Sequence, residues 1–156
     1  MPSKHLLLCC AILANVALTI AAGCATRASE EVAAASSVPL ANTQWRLTQL
    51  GAELVPSSQG ADAMGMQLQS QNTRVVGFSG CNRMFGAYAL DGQSLKFAQM
   101  GGTKMACMDQ GRMRLEQQYL EMFSRVAGWK ISGGTLELLD GQGKPVATFV
   151  ASRATG

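Results

Sequence analysis

One histidine, two tryptophans, two tyrosines and four prolines are all that this 156-residue chain holds of those types, and charged residues make up only 15% of it. Lys and Arg total 13 against 10 Asp and Glu, for a formal charge of +3. An excess that small does not hold a phosphate backbone, so nucleic acid is not expected as a partner. The ten acidic residues are scattered, and no spacing sets two carboxylates side by side for acid–base work. No Cys-x-x-Cys occurs, and no glycine cluster is followed by the Lys-Ser/Thr of a phosphate-binding loop. The single histidine is His5, at the head of an apolar leader. Once that leader is removed, histidine triads, histidine bases and histidine metal ligands are all excluded. No enzymatic activity, no metal and no cofactor are therefore expected.

What the chain does have begins with that leader. Lys4 and His5 precede an almost wholly apolar run over residues 6–22, broken only by Asn15 and Thr19. Small residues Ala21, Ala22 and Gly23 then lead to Cys24. This is the charged start, apolar middle and small-residue cleavage site of an export signal over residues 1–23. A membrane span would need about 20 apolar residues and usually a basic stop beyond them, whereas Arg27 here is followed by Glu30 and Glu31. Gly23-Cys24 resembles a bacterial lipobox, although Ala21 stands where Leu is usual; the resemblance implies acylation of Cys24. Plain cleavage to a soluble periplasmic form is the alternative. Ala25, with no Asp after the cysteine, resembles lipoproteins sent to the outer membrane. Acyl chains contribute about 0.8 kcal/mol per buried methylene, enough for lasting attachment to the membrane. Residues 24–41, rich in Ala and Ser, read as a flexible tether.

From residue 42 to 151 the pattern is that of one small domain, with residues 152–156 as a tail. Seventeen glycines mark a turn-rich, β-leaning chain. Alternation predicts strands over 43–50, with Trp45 and Leu47 on one face, and over 64–69, with Met64, Met66 and Leu68 together. Further strands are expected over 73–78, 85–90, 94–97, 129–132, 135–139 and 145–151. Asp91-Gly92 and Gly133-Gly134 are two-residue hairpin signals, and residues 140–144 form another turn. Helical spacing appears once: Leu115, Tyr119, Met122, Phe123 and Val126 share a face, with Asp109 as the N-cap and Gly128 as a left-handed stop. The fold expected is α+β: a compact, curved, barrel-like antiparallel sheet with one amphipathic helix packed over an opening.

Cys9 and Cys10 leave with the leader and Cys24 is the lipidation site, so Cys81 and Cys107 remain as a pair. In an oxidising compartment a disulfide is expected between them, worth about 3.5 kcal/mol for a loop of about 27 residues. A reduced pair and an exchangeable redox pair remain as alternatives. Gly80, Asn82 and Gly86 read as a tight turn around the first cysteine, with the Asn82 side chain bonding nearby backbone. Arg83 and Lys104 read as solvated charges, with a small basic patch as the functional alternative. Phe78, Phe85, Tyr88 and Phe97 are assigned to the core, a ligand cavity lined by them and by methionines being the alternative.

The run Gly77-Phe78-Ser79-Gly80-Cys81-Asn82-Arg83-Met84-Phe85-Gly86-Ala87-Tyr88, followed by Thr103-Lys104-Met105-Ala106-Cys107, resembles the META domain family, the HslJ-like domain of heat-inducible bacterial lipoproteins. Trp45-x-Leu47 at the start and a hairpin before the last strand extend the resemblance over the whole domain. It implies a barrel-like α+β fold on an envelope lipoprotein associated with stress response and antibiotic tolerance, with no catalytic residue to carry over. The function expected is binding of an envelope protein or apolar ligand, with the membrane reached through the lipid on Cys24. A periplasmic thiol–disulfide protein using Cys81 and Cys107, or a purely structural envelope protein, are the alternatives.

Overall fold

The computed structural model describes residues 38–56 and 63–152. The leader, Cys24 and the first part of the tether lie outside them. Nine strands form one antiparallel sheet: β1 (Gln44–Leu50), β2 (Glu53–Leu54), β3 (Gly65–Gln69), β4 (Arg74–Phe78), β5 (Arg83–Asp91), β6 (Ser94–Gly102), β7 (Gly128–Ser132), β8 (Thr135–Leu139) and β9 (Pro145–Ser152). The helix α1 (Gln110–Met122) and a 3-10 turn (Phe123–Arg125) join β6 to β7. Strands are neighbours in the order β2-β1-β3-β4-β5-β6-β7-β8-β9, and β1 also pairs with β9, so eight of them close a ring while β2 hangs from its edge. The expected α+β, curved antiparallel architecture with one helix is the one observed.

Alternation builds the wall. Trp45, Leu47, Met66, Leu68, Leu136, Leu138 and Phe149 are all buried inside it. The Trp45 indole Nε1–H donates to the Leu40 carbonyl at 2.9 Å, which gives a buried polar group its partner. Leu40 is itself buried, and Asn42 N–H donates to Leu68 O at 2.7 Å. The domain therefore takes in residues 38–41, which composition had assigned to the tether: Leu40 joins the core and its carbonyl holds the Trp45 indole.

Bulges curve the wall and reset the alternation. Between Leu47 and Gln49 the register against β9 slips by one, so Leu50 rather than Gln49 turns inward. A second slip lies between Phe85 and Ala87 on β5, opposite Gln99, whose φ is +54°. That bulge carries β6 on to Gly102, well past the end expected near Phe97, because the alternation after Phe97 is broken at the bulge and not at the strand's end. The same bulge corrects Gly86. It lies inside β5, not in a turn; a side chain there would run into the Met100 sulfur and meet Ala98 O at 3.1 Å.

The ring is uneven. β1 and β9 share six residue pairs, whereas β6 and β7 meet only at Ser94 and Gly128. The helix fills the resulting gap: Phe123 lies edge-on to Phe97 of β6, ring centres 4.8 Å apart, and Tyr119 lies 6.2 Å from Phe149 of β9. Tyr119, Met122, Phe123 and Val126 are buried, as the helical spacing requires, and Asp109 caps the start by accepting from Arg112 N–H at 3.1 Å. The stop differs from expectation. The chain leaves through the 3-10 turn, Val126 is extended, and Gly128 is the first residue of β7. Burial of Phe123 and Val126, together with the bond from Ala127 N–H to Leu139 O at 2.8 Å, turns the chain into β7 before a left-handed glycine is needed.

Of the expected aromatic core, Tyr88 is buried, Phe78 and Phe97 are half-buried, and Phe85 is 43% exposed. Phe85 sits one position from inward-facing Met84, so strand alternation sends it outside. The Gly133-Gly134 hairpin signal holds, with φ of +54° and +81° between β7 and β8. At the β5–β6 hairpin the loop is Gly92-Gln93, one residue later than the Asp91-Gly92 signal, because Asp91 pairs with Ser94.

Candidate functional site

The two motif segments meet at one edge of the ring. Gly80, with φ +115°, turns the chain out of β4, and Cys81 follows it into a disulfide with Cys107, Cα atoms 5.8 Å apart. The bond ties the entry to β5 to the loop between β6 and α1, and both cysteines are half-buried.

Asn82 does more than close a local turn. It is buried, and its Oδ1 accepts from Met105 N–H at 2.7 Å and from the Thr103 hydroxyl at 2.8 Å. Its Nδ2–H donates to Glu116 Oε2 at 3.2 Å. The backbone it bonds is therefore 23 residues away in sequence, not adjacent as expected of a turn asparagine. Arg83 and Thr103 reinforce the join: Arg83 N–H donates to Thr103 Oγ1 at 3.2 Å, and Thr103 N–H donates to Arg83 O at 3.0 Å.

The helix is bound to the same point. Ser79, fully buried, directs its hydroxyl at Glu116 Oε1 and at Asn82 O, 2.9 Å away, and its N–H donates to Asn82 O at 2.8 Å. Arg112, one turn before Glu116 on the same helix face, directs Nη1 at Gly80 O, 3.5 Å away. Ser79 and Glu116 are the members that the sequence pattern did not disclose. They lie 37 residues apart, and a single glutamate on a helix ordinarily reads as a solvated charge. The serine inside the Gly-Phe-Ser-Gly-Cys-Asn run was the only available signal.

This clasp of one covalent and several polar bonds presents a particular outer surface. Arg83 and Lys104 are both exposed and lie on the two bonded segments, and among the described residues the one side-chain ion pair is Lys130–Glu137, elsewhere on the β7–β8 hairpin. Among the described residues six large apolar side chains are exposed, and four of them belong here: Phe85, Met105, Met108 and Met113. Met108 is 99% exposed and Met105 68%. Gly86, expected as part of the turn, takes no part in the clasp. Inside the ring, Tyr119 buries its hydroxyl with no hydrogen-bond partner, and that burial pushes its phenol above the ordinary value near 10.

The family model of the META domain matches residues 38–153, the whole of the domain described above. A solved structure described as an NMR structure of the protein from Burkholderia xenovorans is similar at 28% identity, with a TM-score of 0.60, covering 88% of this chain and 96% of that one. A second NMR structure is similar in fold, with a TM-score of 0.58 at 19% identity over 75% of this chain and 95% of the other. No curated protein matches the chain. With the paired motif blocks joined in space and the family model spanning the entire domain, this chain belongs to the META domain family.

Proposed function

We propose that this protein is exported, held at the bacterial outer membrane by lipid on Cys24, and works by binding an envelope protein or apolar ligand in a stress or antibiotic-tolerance setting, without catalysing a reaction. One observation carries the binding reading: of the six large apolar side chains exposed among the described residues, four stand on the clasp, where a disulfide and the Asn82 network hold the backbone. Apolar surface is ordinarily buried, and holding it rigid in solvent lowers the ordering cost of receiving a partner. The leader and the small residues before Cys24 support the location.

Incorporating a photo-crosslinking residue at Met108 of the full chain in its native cells tests this. A discrete adduct at Met108, absent when the same residue is placed at Gln142 in the exposed β8–β9 turn, is the expected result. No adduct at Met108, Met105 or Phe85 would remove the docking surface. Intact mass of the membrane-extracted protein reports cleavage and acylation at Cys24 independently.

The thiol–disulfide reading has the Cys81–Cys107 bond in its favour. Against it, the bond is one strut in a network that also uses Ser79, Asn82, Thr103 and Glu116, which suits a structural bridge. A reduction potential below about −300 mV assigns it as structural.

A further inference from the structure

The outward chemistry of the clasp has a sign. Arg83 and Lys104 are exposed on the two bonded segments, and Arg112 lies beside Gly80. Against these three cations stand two carboxylates: Asp109 is exposed and accepts from the helix backbone, and half-buried Glu116 spends both oxygens on Ser79 and Asn82. The surface that remains is cationic and interleaved with thioethers. Met113 follows Arg112 directly, and Met105 follows Lys104.

We infer that the clasp docks an acidic segment of another protein, one in which Asp or Glu alternates with apolar side chains; the inference rests on the docking reading above and specifies its partner. Carboxylates would meet Arg83, Lys104 and Arg112, while the apolar residues would lie against Met105, Met108, Met113 and Phe85. Charge complementarity of this kind sets partner choice and speeds encounter. Methionine is unbranched and polarisable, so its side chain adapts to varied apolar partners, a common property of peptide-binding surfaces. A face that enters lipid is built from Trp, Phe and Leu above a basic belt, whereas three of the four apolar residues here are Met. That composition favours a peptide over a membrane surface.

The test uses the full chain held in phosphatidylcholine nanodiscs. A fluorescent 20-residue peptide alternating Glu and Leu is titrated, beside its Lys–Leu counterpart. Saturable binding of the acidic peptide alone is expected, weakened at least tenfold by the double charge reversal R83E/K104E and unchanged by K130E on the distant hairpin. Affinity should also fall steeply with added salt, a readout on the unmodified protein that needs no variant to fold. Equal binding of both peptides, no binding, or indifference to R83E/K104E and to salt would overturn the inference. Protection of Met105 and Met108 from oxidation in phosphatidylglycerol but not phosphatidylcholine nanodiscs, without peptide binding, would assign the surface to lipid and overturn it as well. A surviving crosslink at Met108 with no acidic-peptide binding would leave the docking surface standing and reject only the partner's chemistry; loss of both would reject the two together.

Discussion

The wall made by β9, β1 and β3 and the edge made by residues 79–116 hold together by different physics. In the wall, each strand contributes alternate apolar side chains to a common interior, and backbone ladders close the ring through the six pairs of β1 with β9. On the other side β5 and β6 are fully laddered, but β6 and β7 touch at one residue pair, and the helix that joins them is tied back by a disulfide, a buried asparagine and a glutamate. Area burial is forgiving of small changes and spreads over many residues, while a polar network loses much when one member goes. The difference shows where this fold can carry a function, since four of the six large apolar side chains exposed among the described residues stand at the clasp.

Substitutions on the two sides sharpen that contrast. The largest expected effect is in the wall: Trp45→Ala removes a fully buried indole and its bond to Leu40, lowering stability by about 4 kcal/mol in denaturant unfolding. Replacing both Cys81 and Cys107 with Ala frees the unfolded chain of its loop constraint and costs about 3.5 kcal/mol by the same measurement. If the double variant lost less than about 1 kcal/mol, the edge would owe its order to the polar bonds alone. Asn82→Ala strips an acceptor from Met105 N–H and the Thr103 hydroxyl and a donor from Glu116. It should cost about 2 to 3 kcal/mol and expose the Met105 amide to hydrogen exchange while β1 amides stay protected.

A smaller effect of opposite sign is expected at the helix. Tyr119→Phe deletes a buried hydroxyl without a partner and should stabilise the protein by about 1 kcal/mol. The fold raises this phenol's pKa, so stability is fully present below pH 10 and is lost as pH rises above it, where the unfolded chain's phenol ionises. The Phe variant should lack that alkaline loss, as paired unfolding curves at pH 8 and 11 would show. Finally, mild hypochlorous acid should oxidise Met108 first and Met105 and Met113 next, sparing Met66, Met84 and Met122 in the wall and under the helix. Peptide mass mapping checks this, and equal oxidation of both sets would erase the distinction between edge and interior.

Legibility followed the same division. Trp45, Leu47, Met66 and Leu68 announced their strands because alternation is local, and Asp109 announced a cap because its bond reaches only three residues. The pairing of Cys81 with Cys107 could be expected from compartment and count. Gly86 and the second half of β6 were misjudged where a bulge changes the phase, since one extra residue in one strand leaves no mark in composition. Phe85 was assigned to the core on its type, whereas its strand position turns it out. Ser79 and Glu116 stayed hidden because a bond between residues 37 apart obeys no periodicity.

Taken alone, the order of residues determined that this chain carries an apolar run before Cys24, a glycine-punctuated series of short strands, an amphipathic helix and two motif blocks of the META kind. Those features depend on neighbours within a few positions, where propensity and spacing suffice. Only the tertiary structure decided that β6 and β7 meet at Ser94 and Gly128 alone, that the helical segment packs its aromatic rings against β6 and β9, and that the two blocks and Glu116 fasten into one clasp with methionines facing outward. Those outcomes depend on which distant surfaces bury each other and which buried polar groups find partners, and that competition is settled by the whole chain at once.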